Sequence, residues 1–241
     1  MPPLPAALAA AFRSANAGGA KRERTQAQLV QAAVQVFSAR GVAGATIQEV
    51  AQVAGVTAGT VYNHFASKDQ LVERVAVTLA QSLCRAIYES ASGITDGAQR
   101  MAIGQRRYVW LAAESPAWAR LLLDVMAQNH AVLEEVQKYP LQDLRIGVRQ
   151  KKFKVPSEAA AMDAINGICS AAMLRVAAGQ APANHDIACA ALVLRALGVP
   201  PDEALAVARL PLPEIGAGAS APAPAAVTRT PRTAARRPGL R

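Results

Sequence analysis

Four small residues in a row, Thr57, Ala58, Gly59 and Thr60, carry the chemistry of a base-reading surface. Threonine hydroxyls bond either base type, and threonine and alanine methyls can meet the thymine methyl. Gly59 lets the backbone come close, or is simply a short side chain that avoids a clash. Asn63, on the next turn, suits a two-point contact to adenine or a contact to phosphate. Lys21, Arg22 and Arg24 cluster at a predicted helix start. Positive charge there opposes the helix dipole, and a nearby phosphate would relieve it; an ordinary solvated helix start explains the same cluster. Lys68 opens another predicted helix, a natural place for a phosphate.

The elements that must hold these residues are legible in the stretch TIQEVAQVAGVTAGTVYNHF, residues 46–65. Thr46 and Glu49 have the spacing of a capping box. Ile47, Val50, Ala51 and Ala54 recur at helical spacing, and Gly55 follows where a left-handed residue commonly ends a helix. Thr57 is a second N-cap, and the helix it starts runs to about His64 with Val61 and Phe65 inward. Helix, glycine-containing turn, helix is the helix-turn-helix arrangement, with Ala51 small enough for a close crossing. An ordinary αα-hairpin in a bundle has the same outline. A helix over about 22–39, stopped by Gly41, precedes the pair. Ser67 and Gln70 form a further capping box at the head of a long helix over about 68–91.

Residues 22–70 resemble the DNA-binding domain of the TetR/AcrR family of transcriptional regulators. The likeness rests on AVQVFSARGVAGAT followed by IQEVAQVAGVTAGTVYNHFASKDQL. It implies phosphate contacts for the residues that match at Thr46, Tyr62, His64 and Lys68. Tyr62 and His64 read equally as scaffold, with the Tyr62 ring against Val56. The resemblance further implies a homodimer through the helices 157–178 and 184–197, a palindromic double-stranded operator, a repressor, and a small-molecule inducer. The two closing helices are dense in small residues, which suits close packing within one chain as well as between two.

Composition agrees with an all-α chain. The 241 residues are 52% hydrophobic but only 4% aromatic, rich in Ala and Leu, both strong helix formers. The net charge is +9. Residues 21–91 hold seven basic and five acidic side chains, so much of the surplus lies elsewhere, notably in the C-terminal tail. Cys84, Cys169 and Cys189 lack metal-ligand spacing, and the N-terminus lacks the pattern of a signal peptide. No 18-residue apolar run is present, so no membrane segment and a cytoplasmic location are expected. There is no HExxH, GxSxG, CxxC or phosphate-binding glycine loop, and the three histidines stand far apart. No enzyme, cofactor or metal is expected.

The resulting expectation is an N-terminal three-helix domain, 21–67, and a larger helical domain for ligand and dimerisation, 68–199. A disordered leader, 1–20, and a disordered basic Pro/Ala-rich tail, 200–241, flank them. Further helices fall at about 96–114, from Pro116, and at about 130–153, where Pro140 predicts a kink or a break. Candidate ligand contacts are Cys84, Tyr88, Gln105, Tyr108, Trp118, Met126, Asn166 and Met173, large or polar side chains near apolar stripes; core filler and surface positions are the plain alternative. Arg106 and Arg107 are expected to include a solvent-facing residue, which leaves an uncharged or anionic, largely hydrophobic ligand. The competing functions are a DNA-binding protein without ligand control and a helical enzyme or carrier with a structural N-terminal hairpin.

Overall fold

The computed structural model describes Ala9 and residues 21–215. The remaining parts of the expected leader and tail lie outside the described residues. Among those described, every regular element is a helix. They run α1 Lys21–Gly44, α2 Ile47–Ala54, α3 Ala58–His64, α4 Lys68–Ser90 and α5 Gly97–Glu114. Then come α6 Pro116–Gln128, α7 His130–Arg149, α8 Glu158–Ala177, α9 His185–Ala196 and α10 Pro201–Ala208.

Local signals set the first four helices. Gly41 has φ 74° and interrupts α1, so the helix of regular geometry ends where glycine alone is comfortable. Thr46 accepts from the Glu49 amide, and Glu49 reaches back to the Thr46 amide at 2.9 Å. Gly55, at φ 67°, ends α2 with its amide on Ala51 and Gln52 carbonyls. Ser67 caps α4 through the Gln70 amide, but the Gln70 side chain accepts from Ala66 rather than from the cap itself. Leu29, Ala33, Phe37, Val50, Ala51, Val61 and Phe65 are buried together and continue into Leu71, Val75 and Leu79 of α4. The small domain therefore shares its core with the helix that leaves it.

In the larger domain α5 is central, packing on α6, α7, α8, α9 and α10. Asp96 caps it through the Ala98 and Gln99 amides. Two expectations need correction here. Of the kink or break expected at Pro140, the break does not form, because helix α7 runs through it. Proline leaves the carbonyl four residues back, Val136, without its helical donor; the Cys84 thiol approaches that oxygen at 3.9 Å from α4. Tertiary packing against α4, α5 and α8 holds the helix on both sides of the proline.

The second correction is the tail. It was expected from residue 200, yet Pro201–Ala208 is a helix, with Pro201 at its first turn and Ala204 and Ala208 wholly buried. The chain beyond it is strapped down. Arg106 bonds Asp186 at 2.8 Å and the Ala208 and Leu210 carbonyls at 3.0 and 2.7 Å. Arg107 donates to the Pro213 carbonyl and lies over the Trp110 ring. Neither arginine is the free surface cation expected, because both hold the C-terminal segment. Ending the chain at Val199 is therefore expected to lower the melting temperature by at least ~5 °C. Ending it at Ile215 keeps all of these contacts and should leave the melting temperature near that of the full chain. Thermal denaturation of the two truncations checks both.

Candidate nucleic-acid interface and internal cavity

The start of α3 is built by its own side chains. Thr57 caps the helix by accepting from the Thr60 amide at 3.2 Å, and the two hydroxyls meet at 3.0 Å. They act as one paired unit, so changing either disturbs the other. Gly59 is exposed, and a Cβ there would meet only the Thr57 hydroxyl, at 3.7 Å. Ala58 and Thr60 are half-buried, Thr57 and Asn63 exposed. Tyr62 is 52% exposed, so its ring stands largely in solvent rather than in the core. Arg22 and Thr46 are exposed as well.

Lys68 reaches the Ala43 carbonyl at 3.2 Å, which fixes its ammonium between the end of α1 and the start of α4. Glu49, beside it, has its carboxyl held below the usual range by bonds from Thr46, with Arg40 and Lys68 adding to the effect. His64 sits differently from the others. It is half-buried and lines a polar cleft between the two domains with Gln26, Gln70, Glu73, Arg74 and Asn129. Asn129 caps α7 and also donates to Glu73 on α4.

The larger domain holds a partly open cavity between α4, α5, α6, α7 and α8. Its volume is about 70 Å³, counted as space for the centre of a water-sized sphere. Cys84, Tyr88, Gln105, Tyr108, Met126, Asn166 and Met173 all line it. Trp118 does not: its side chain is wholly buried in the main core on the α6 face. The sequence reading missed Arg100, Met101 and Gly104, which share a face of α5 with Gln105 and Tyr108. It also missed Tyr139, Pro140 and Asp143 on α7, and Ile165, Cys169 and Ser170 on α8. Helical spacing from Gln105, Tyr108, Asn166 and Met173 reaches Met101, Gly104, Cys169 and Ser170, but no residue of α7. Asp143 left no local signal.

Arg100 and Asp143 pair at 2.6 Å, Nε to Oδ1, and are nearly out of solvent. The same guanidinium bonds the Ala91 and Ile94 carbonyls and lies 4.9 Å over the Tyr88 ring. Burial pushes the Asp143 carboxyl above its usual range, and Arg100 only partly offsets that. Burial also raises the Tyr108 hydroxyl, which meets the Cys84 sulfur at 2.8 Å. The buried Cys169 thiol is pushed up to about 12. The cavity is therefore apolar, lined by neutral thiol and phenol groups and one neutralised ion pair.

On the outer face of α8 and α9, Leu174 and Leu192 are 52% and 49% exposed. Gly167, Ala171, Ala188 and Ala196 lie exposed around them, while Ala161, Ala172, Ala190 and Ala191 face inward. The small residues thus divide between inner packing and an open apolar face. Among the described residues no helix is long and apolar enough to cross a membrane.

Comparison with known proteins places both parts. Residues 29–75 match the family model for bacterial regulatory proteins of the tetR family, and residues 96–210 match the tetracyclin repressor-like C-terminal domain. The protein described as Probable HTH-type transcriptional regulator ArpR, from Pseudomonas putida, is 28% identical over 177 residues, 71% of this chain and 75% of its own. The HTH-type transcriptional repressor Rv3405c of Mycobacterium tuberculosis is 39% identical over 70 residues, 29% of this chain and 37% of its own. The crystal structure of RolR in complex with resorcinol superposes with a TM-score of 0.69 at 28% identity, covering 81% of this chain and 98% of that one. These relatives are transcriptional regulators, not enzymes. With a helix-turn-helix domain and a C-terminal domain that both match, the chain belongs to the TetR family of bacterial transcriptional regulators.

Proposed function

We propose that the chain represses transcription by binding a two-fold symmetric operator as a homodimer, and that a small molecule in the internal cavity releases it. The observation that carries this reading is α4. Its first residue, Lys68, is anchored beside the DNA-binding helices, while Cys84, Ile87 and Tyr88 near its other end line the cavity. A helix of 23 residues is about 34 Å long, so one rigid element joins the two sites. A ligand that prefers one tilt of α4 would move α3, and DNA must weaken that ligand by the same factor.

Supporting observations differ for each part. Repression draws on the relative named as a repressor. Dimerisation draws on the open face around Leu174 and Leu192, which a second copy would cover. Control by a small ligand draws on the apolar cavity and on the resorcinol complex of RolR. For the DNA contacts, Thr57, Ala58, Gly59, Thr60 and Asn63 face base edges, and Arg22, Thr46, Tyr62, His64 and Lys68 serve phosphates.

Two substitutions test the division. Thr60→Ala should change sequence preference, because it removes a methyl-bearing hydroxyl from the reading surface. Lys68→Ala should weaken all duplexes alike and lower the salt slope by about one unit. Equal losses on operator and on random DNA for both variants, measured by fluorescence anisotropy across salt, would overturn the assignment.

A further inference from the structure

Several polar atoms that line the cavity are open hydrogen-bond acceptors. Gln105 Oε1 is fully buried, with no partner among the described residues. Gln105 itself is 5% exposed and lines the cavity. An orphaned carboxamide oxygen in an apolar site costs free energy until a donor arrives. Asp143 meets Arg100 through Oδ1 alone. Pro140 frees the Val136 carbonyl, whose approaching donor is a thiol at 3.9 Å, a poor hydrogen bond. Asn166 and Ser170 are half-buried and can serve in either sense.

Charge narrows the choice further. The charged side chains lining the cavity are Arg100 and Asp143, and each neutralises the other. The Arg100 guanidinium is already committed to Asp143, to two carbonyls and to the Tyr88 face. A carboxylate ligand would have to break that set or lie buried without a counter-charge, and a cation would meet Arg100. Size narrows it again. A cavity of ~150 Å³ holds one benzene ring, so about 70 Å³ leaves no room for a fused system.

We infer that the cavity binds an uncharged single-ring compound bearing hydroxyl donors, with Gln105 as the acceptor that selects for them. This rests on the cavity being the effector site, and it adds the ligand's chemistry to that reading. Gln105 is a specificity residue: it accepts from one ring hydroxyl, while Asp143 and the Val136 carbonyl are placed to accept from another. The rings of Tyr88, Tyr108 and Tyr139 and the thioethers of Met101, Met126 and Met173 surround the hydrocarbon.

Calorimetric titration of the full chain with three probes tests this: resorcinol, its dimethyl ether 1,3-dimethoxybenzene, and benzoate. Resorcinol should bind about tenfold or more tightly than the ether, which has the same skeleton and no donors. Benzoate should bind more weakly than resorcinol. Gln105→Met, similar in volume, should weaken resorcinol by about tenfold and bring it close to the ether. The inference is overturned if the ether equals resorcinol, if benzoate binds best, if Gln105→Met leaves resorcinol unchanged, or if no probe binds. The probe series on the natural chain stands even if the variant fails to fold. Operator binding measured alongside separates the two readings. Resorcinol that binds with this selectivity but leaves operator affinity unchanged would uphold the ligand class and remove the effector role. Ring probes that fail while operator binding persists would remove the ligand class alone.

Discussion

Replacing Gly59 with glutamate is expected to leave the fold intact and lower affinity for the operator by about a hundredfold or more. Gly59 is exposed at the start of α3, with open space for a side chain. Exchanging glycine for a better helix former, with a negative charge in the first turn, suits the helix and its dipole. Stability should hold or rise slightly. On DNA the same carboxylate would enter a groove flanked by phosphates, and like charges brought together at an interface cost several kcal/mol. Few substitutions separate folding from DNA binding so cleanly. An unchanged melting temperature with lost binding supports α3 as the reading helix. Undiminished binding would show that α3 faces elsewhere.

The largest effect on stability is expected from Gly97→Val. A Cβ at Gly97 would lie 2.5 Å from the Gly147 nitrogen and 2.7 Å from its Cα, both backbone atoms that cannot swing aside. Gly147 is confined in turn, since its own Cβ would strike the buried Phe153 ring. Helices α5 and α7 thus cross backbone to backbone at this pair. Overpacking a core costs ~1–3 kcal/mol when side chains can yield, so a clash with backbone should reach or exceed the top of that range. That is a large share of a total stability of ~5–15 kcal/mol. Arg100 and Asp143 sit on these same two helices, so separating them also opens the cavity. Circular dichroism melts should show the loss. A melting temperature within ~2 °C of the natural chain would mean that the crossing is loose.

The parts that were legible in the sequence share one property: their signals are local. Thr46 with Glu49, Gly55 in a left-handed turn, Thr57 before Thr60 and Ser67 before Gln70 each act within a few residues, so the four N-terminal helices could be read directly. The misreadings arise where distant contacts decide. Composition made residues 200–215 look unable to pack, but Ala204 and Ala208 need little volume, and Arg106 comes from 102 positions away to hold Ala208. The rule against proline within a helix predicts a kink or a break at Pro140, and packing from neighbouring helices overrides the break. Trp118 reads from sequence as a ligand contact because large aromatics suit pockets as well as cores, and only the fold separates the two. The Arg100–Asp143 pair joins residues 43 apart and changes the expected ligand from uncharged or anionic to uncharged.

Selection of bound genomic fragments from the source organism, followed by footprinting, tests the central claim most directly. Two copies of α3 related by a two-fold axis should enrich palindromic sites whose half-sites lie about one helical turn apart, roughly 34 Å, or slightly more. The footprint should cover both halves. No enrichment over random duplex, or full affinity for one asymmetric half-site, would contradict a dimeric regulator that reads an operator through α3.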